Sequence, residues 1–159
     1  MPLKLDEKAP AFTMLAVGSD LTDETEINLN DYKGKKVVLY FYPKDLTPGC
    51  TTQAIDFTAL SDDFKATNTV VIGVSKDPIK KHLKFIEKKS LNVILGADED
   101  QKVIDAYDIW QEKKFMGRTY MGIVRSTFLI DSEGVLRQSW TKVRVKEHAQ
   151  TVLDAANVL

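Results

Sequence analysis

Residues 36–42, KVVLYFY, are apolar at every position after the lysine and are mostly β-branched or aromatic. A strand with no polar face must be covered on both sides, so this run belongs in the middle of a sheet. Thr69–Ser75, TVVIGVS, reads as a second buried strand. Between the two, Ala54, Phe57, Leu60 and Phe64 recur at helical spacing, which predicts a helix from Cys50 to Phe64. Pro78 opens a further helix through Lys89, with Ile79, Leu83 and Ile86 as its apolar stripe and lysines elsewhere.

The flanking segments are shorter. The N-terminal part, with a Gly18–Ser19–Asp20 turn, reads as a hairpin or irregular strands leading to the core. Asn92–Leu95 is a short strand and Asp100–Tyr107 a short helix. Tyr120–Val124 and Thr127–Asp131 are extended, and the Ser132-Glu133-Gly134 turn pairs Val135–Thr141 antiparallel with the strand before it. Lys146–Val158 closes the chain as a helix with Ala149, Val152, Leu153 and Ala156 inside. The resulting order, β-α-β-α-β, then a hairpin and a helix, predicts an α/β fold. Its central mixed β-sheet is flanked by helices, which is the order of a thioredoxin-like fold with an N-terminal β extension.

Residues 1–159 are read as a single domain, long enough to bury about 70% of its unfolded surface. With 22 basic and 23 acidic side chains, the net charge of −1 supplies no field for a phosphate backbone, so nucleic acid is not an expected partner. The start, MPLKLDEKAP, lacks the apolar stretch of a signal peptide. The longest apolar run, VVLYFYP, is far shorter than the roughly 20 residues that span a bilayer, and no membrane partner is expected. Cys50 is the single cysteine, so the fold cannot use an internal disulfide, which fits a reducing cytoplasm.

An isolated cysteine is often one more small buried hydrophobe. The position of Cys50 allows a second reading. Thr47-Pro48-Gly49-Cys50 leaves the first buried strand and enters a helix, so the thiol falls in a first turn whose free N–H groups favour a thiolate. Gly49 removes bulk beside the sulfur, and Pro43 and Pro48 stiffen the approach. Ionisation alone is not enough. An ordinary thiol is about 3% ionised at pH 7, so full ionisation gains at most about 30-fold. A drop in pKa of ~2 also costs nearly tenfold in nucleophilicity. Fast chemistry therefore requires donors aimed at the charge that develops in the transition state. Thr47, three residues before Cys50, is one candidate. Arg125, flanked by apolar residues in GIVRSTFLID, is another; its partner is either this site or a structural carboxylate.

FYPKDLTPGCTTQ contains P-x-x-x-T-x-x-C as Pro43, Thr47 and Cys50. It resembles the peroxiredoxin active-site signature, most closely that of the bacterioferritin comigratory protein (PrxQ) subfamily. EKAPAF, VIGVSKDP and YMGIVRSTFLID extend the resemblance over nearly the whole chain. The resemblance implies that Cys50 is a peroxidatic nucleophile, attacking a hydroperoxide oxygen and becoming a sulfenic acid. It implies that Thr47 hydrogen-bonds the substrate oxygen and the sulfur. Arg125 would hold the thiolate and the polarised O–O bond, and Pro43 would pack over the sulfur. Gln53, in C-x-x-Q, falls where the family has a supporting polar residue. The chemistry implied uses no cofactor and no metal.

The sequence departs from the family at one position. Many members carry a resolving cysteine five residues after the peroxidatic one, where this chain has Ile55. A one-cysteine mechanism follows, in which an external thiol (thioredoxin, glutaredoxin or glutathione) reduces the sulfenic acid. The implied state is a monomer or weak homodimer. The alternative is a non-catalytic redox-binding or chaperone-like protein of the same fold.

Other features read more plainly. His82 and His148, each in an amphipathic helix, are expected at the surface and outside any metal-ligand pattern. The lysines from Lys76 to Lys89 form a solvated face. Asp98-Glu99-Asp100 lacks the spacing of a calcium loop and is expected to cap a helix. Trp110, Phe115, Tyr120 and Met121 are expected in core or subunit contact, with a pocket for organic hydroperoxides as the alternative.

Overall fold

A computed structural model describes residues 3–19 and 21–159. Met1 and Pro2 of the N-terminal segment, and Asp20 of the expected turn, lie outside the described residues. The apolar run forms β3 (Lys36–Phe41), parallel to β4 (Thr69–Ser75) and antiparallel to β8 (Ser126–Ile130). β5 (Ile94–Ala97) continues the parallel part, and β9 (Leu136–Trp140) closes the far edge antiparallel to β8. The N-terminal residues form a hairpin, β1 (Thr13–Gly18) and β2 (Thr25–Asn28), which adds to β5 as the expected β extension. The seven-stranded mixed sheet has the order β2-β1-β5-β4-β3-β8-β9.

The two-residue period of β3 divides its side chains between two cores. Val37, Leu39 and Phe41 join Phe12, Met14, Ile104 and Tyr107 on one face. Val38, Tyr40 and Tyr42 join Cys50, Phe57 and Phe64 on the other. The latter face is covered by α1 (Pro48–Ala59), α2 (Ser61–Ala66) and α5 (His148–Asn157), with Phe85 of α3 (Ile79–Lys89). α4 (Lys102–Ala106) covers the first face through Val103 and Ile104. Its N-terminus is capped as expected, the Asp98 carboxylate accepting from the backbone N–H groups of Val103 and Ile104.

Three expectations need correction. The helix expected over Cys50–Phe64 breaks at Leu60 into α1 and α2, although its inner stripe is as predicted. In α3 the inner residues are His82 and Phe85, whereas Leu83 is 51% exposed. The helix is therefore rotated from its expected stripe, because the polar His82 finds buried partners. The third difference is β6 (Trp110–Phe115), which pairs with β7 (Arg118–Ile123) as a two-stranded hairpin outside the main sheet. Trp110 packs against the core, but Phe115, Tyr120 and Met121 are exposed, so these four residues form no buried cluster with one another.

Candidate active site

β3 ends at Phe41, and the backbone N–H of Tyr42 still donates to the Val74 carbonyl of β4. The chain then turns through residues 43–47 into α1, with Thr47 as N-cap and Pro48 as the first helical residue. Proline suits this position, since its missing N–H would have had no intrahelical partner. The first helical bond runs from the Thr51 N–H to the Thr47 carbonyl, which places Cys50 in the first turn, before that ladder begins. Its side chain faces inward and is only 2% exposed.

Arg125 arrives from the short junction between β7 and β8, as predicted. Its Nη2 donates to Cys50 Sγ at 3.3 Å and its Nη1 to Gln53 Oε1 at 2.5 Å. Gln53 lies three residues after Cys50, on the same face of α1, and is itself buried. Among the described residues Arg125 makes no ion pair with a carboxylate, so the structural alternative for this cation is not realised. The approach depends on Gly49, where an added Cβ would stand 3.2 Å from Arg125 Nη2. The bulk that this glycine omits is therefore beside the guanidinium that reaches the sulfur.

Thr47 and Pro43 flank this set through the chain without a hydrogen bond to it. The Thr47 hydroxyl donates to the Lys44 carbonyl at 2.8 Å, leaving its oxygen lone pairs as acceptors. Pro43 is exposed in the turn after Tyr42. Ile55, on the outer side of α1, is 43% exposed. A cleft of about 420 Å³, lined by Phe12, Asn28 and Tyr32 among others, contains none of the five expected residues.

Several polar groups around the thiol escaped the sequence reading. Asp45, in the loop before Cys50, is buried and receives the Tyr42 hydroxyl at 2.5 Å. Its other carboxylate oxygen lies 2.6 Å from His82 Nδ1, and its N–H donates to Asp77 at 2.7 Å. His82 Nε2 meets the Gly96 carbonyl at 2.9 Å. That carbonyl can only accept, so Nε2 carries a proton and Nδ1 shares a second one with Asp45. His82 is thus buried rather than at the surface.

His148 is buried too, sharing a 2.8 Å hydrogen bond with Thr127 between the rings of Phe57 and Trp140. Burial pushes its pKa down to about 4, and the charge of Arg125 acts in the same direction. Tyr40, beneath α1, has a buried hydroxyl with no hydrogen-bond partner among the described residues. Burial holds that phenol well above its usual range, and the Cys50 and Asp45 charges add to the effect.

Two signals in the sequence could have found the histidines. His82 falls three residues before Phe85 on the α3 face, and His148 immediately precedes the Ala149–Ala156 stripe. Chemically, the arrangement can hold negative charge on a sulfur that is shielded from bulk water. A guanidinium touches that sulfur, and the unpartnered Gln53 Nε2 remains as a further donor.

Comparison with known proteins gives consistent results. The AhpC/TSA family model matches residues 5–139. Peroxiredoxin Bcp of Bacillus subtilis is 46% identical over 153 residues, 96% of this chain and 94% of that protein. A Xylella fastidiosa PrxQ mutant superposes with a TM-score of 0.90 at 32% identity, covering 99% of this chain and 98% of that one. A Xanthomonas campestris bacterioferritin comigratory protein, described for its alkyl peroxide reduction activity, gives a TM-score of 0.84 at 37% identity. That match covers 92% of this chain and 90% of the other.

Proposed function

The chain belongs to the AhpC/TSA family, in its bacterioferritin comigratory protein (PrxQ) branch of peroxiredoxins, and we propose that it is a one-cysteine, thiol-dependent peroxidase. The observation that carries this reading is the Arg125 Nη2–Cys50 Sγ contact at 3.3 Å, braced by Gln53. The alkyl peroxide reduction described for the Xanthomonas relative supports organic hydroperoxides, beside hydrogen peroxide, as the substrate class.

In the reaction, the Cys50 thiolate attacks the terminal oxygen of the hydroperoxide. A sulfur–oxygen bond forms and the O–O bond breaks. The displaced electron pair leaves on the alkoxide or hydroxide, which takes up a proton and departs as alcohol or water. Arg125 holds the charge on both the sulfur and the parting oxygen, so its contribution grows toward the transition state. Thr47 accepts a hydrogen bond from the hydroperoxide O–H through its free lone pairs, Gln53 keeps Arg125 in place, and Pro43 limits access from outside. No cofactor takes part.

With Ile55 in place of a resolving thiol, the sulfenic acid condenses with an external thiol, releasing water and leaving a mixed disulfide. A second thiol then frees Cys50. Thioredoxin, glutaredoxin or glutathione in the cytoplasm supplies these equivalents. The test is peroxide consumption with dithiothreitol as reductant. Wild type turns over and Cys50→Ser does not. A serine variant that consumes peroxide as fast as wild type overturns the proposal. A wild type without turnover supports the non-catalytic, redox-binding reading instead.

A further inference from the structure

The loop that joins β9 to α5 lies at the same end of the sheet as Cys50. Trp140, the last residue of β9, pairs with Thr127 of β8, and Thr127 pairs in turn with Tyr40, near the end of β3 from which the chain enters the Cys50 turn. Beyond Trp140 the backbone N–H of Val143 donates to the Arg125 carbonyl at 3.0 Å. His148 then bonds Thr127 and seats the start of α5 against Phe57 of α1. The loop is thus fastened to the residue whose guanidinium touches the sulfur. Its side chains alternate: Val143 and Val145 are half-buried, whereas Lys142, Arg144 and Lys146 are exposed. Lys44, in the turn before Cys50, is a further exposed cation.

Among the described residues none of these cationic side chains has an ion pair. Glu147 is the one exposed carboxylate within residues 43–49 and 141–147, since Asp45 is buried against His82. The whole chain balances 22 basic against 23 acidic side chains, so this excess of cations is local to the site. Such a local field raises the concentration of anions ahead of any contact with Arg125. We propose that Lys142, Arg144 and Lys146, with Lys44, select a negatively charged thiol as the reductant of Cys50, and that this thiol is a small one bearing carboxylates. Cys50 is only 2% exposed, and a small thiol displaces less of the surrounding turn and α1 than the cysteine of a protein. In the step concerned, the thiol sulfur bonds to the sulfenic Cys50 and the sulfur–oxygen bond breaks. The oxygen leaves as water with the thiol's proton, and a second thiol molecule releases Cys50 and departs as the disulfide. The identity of the reductant rests on the peroxidase reading; the selection by charge does not.

The first arm of the test requires no peroxide. Cys50 is alkylated in parallel by iodoacetate, an anion, and by iodoacetamide, its neutral counterpart, so that the ratio of rates reports charge and cancels the reactivity of the sulfur. Lys142→Gln, Arg144→Gln and Lys146→Gln combined should lower the iodoacetate-to-iodoacetamide ratio about threefold to tenfold at ~10 mM salt. Lys142→Arg with Lys146→Arg should stay within about twofold of wild type, which separates charge from side-chain packing. Raising salt to about 0.5 M should lower the wild-type ratio in the same direction, a test that holds even if the triple variant does not fold. The second arm follows reduction of the peroxide-generated sulfenic acid by glutathione and mercaptopropionate, both anionic, by neutral mercaptoethanol, and by thioredoxin. The triple variant should lose about threefold to tenfold with both small anions and stay within about twofold with mercaptoethanol. A ratio in the first arm that neither substitution nor salt changes overturns the proposal. So does a loss in the second arm confined to thioredoxin, which would make the surface a protein dock. A shifted ratio in a protein that consumes no peroxide retains the selection by charge and removes only the peroxidase reading.

Discussion

His148 gives a sharp thermodynamic test of the packing behind the site. Its folded pKa of about 4 lies below the ordinary 6.5, chiefly because the ring is buried between Phe57 and Trp140, and secondarily because of Arg125. The folded state therefore binds fewer protons than the unfolded state between these two values. The associated stability is present above about pH 6.5 and is lost as pH falls toward about 4. A drop of this size corresponds to about 3 kcal/mol of preference for the neutral ring, of which about 2 kcal/mol are lost by about pH 5. His148→Gln removes the titration and also loses the ring packing, a roughly pH-independent cost of about 1–2 kcal/mol. Urea unfolding of both proteins at several pH values between about 7.5 and 5 separates the two effects. Other titrating carboxylates, such as Asp98, whose pKa burial raises, are common to both proteins and cancel in the difference. The wild-type advantage should shrink by about 2 kcal/mol over this range and can change sign at its acid end. Parallel stability curves would refute the argument, because a solvated or charged His148 is the only way to obtain them.

Two further outcomes bear on the chemistry. Arg125→Met should slow oxidation of Cys50 by at least about 100-fold in stopped-flow measurements, since it removes the donor that touches the sulfur; a change below about threefold would take Arg125 out of the site. Excess peroxide without reductant should add two oxygen atoms to Cys50, giving the sulfinic acid, because no second cysteine intercepts the sulfenate. Intact-mass spectra showing only unmodified protein would contradict that expectation.

The buried strands were legible because burial on both faces leaves an uninterrupted β-branched and aromatic run. Thr69–Ser75 matches its predicted bounds, and Lys36–Tyr42 differs from them by one residue. The exposed hairpin was less legible. WQEKKF has neither an apolar face nor alternation, and its pairing with Arg118–Ile123 depends on the left-handed Met116–Gly117 turn. The placement of Cys50 followed from the Thr-Pro-Gly entry to α1, and Arg125 was visible as a cation among apolar neighbours. The histidines misled, since a residue that is polar in isolation becomes a core residue once distant partners satisfy it. For His82 that partner is Asp45, 37 residues away, and for His148 it is Thr127, 21 residues away. Periodicity along a single helix contains no trace of either.

The Asp45 anchor has a mechanical consequence. On the strand side of the thiol, the loop is fastened by hydrogen bonds to Tyr42, His82 and Asp77. The next residue, Leu46, holds a left-handed backbone (φ 65°), and α1 breaks at Leu60. An excursion that presents the shielded sulfur to something as large as another protein would have to displace the stretch from Leu46 to Leu60 against the Asp45 anchor. Under the proposed function, a small oxidant would meet the sulfur where it rests, beside Arg125, whereas a protein reductant would need this stretch to move.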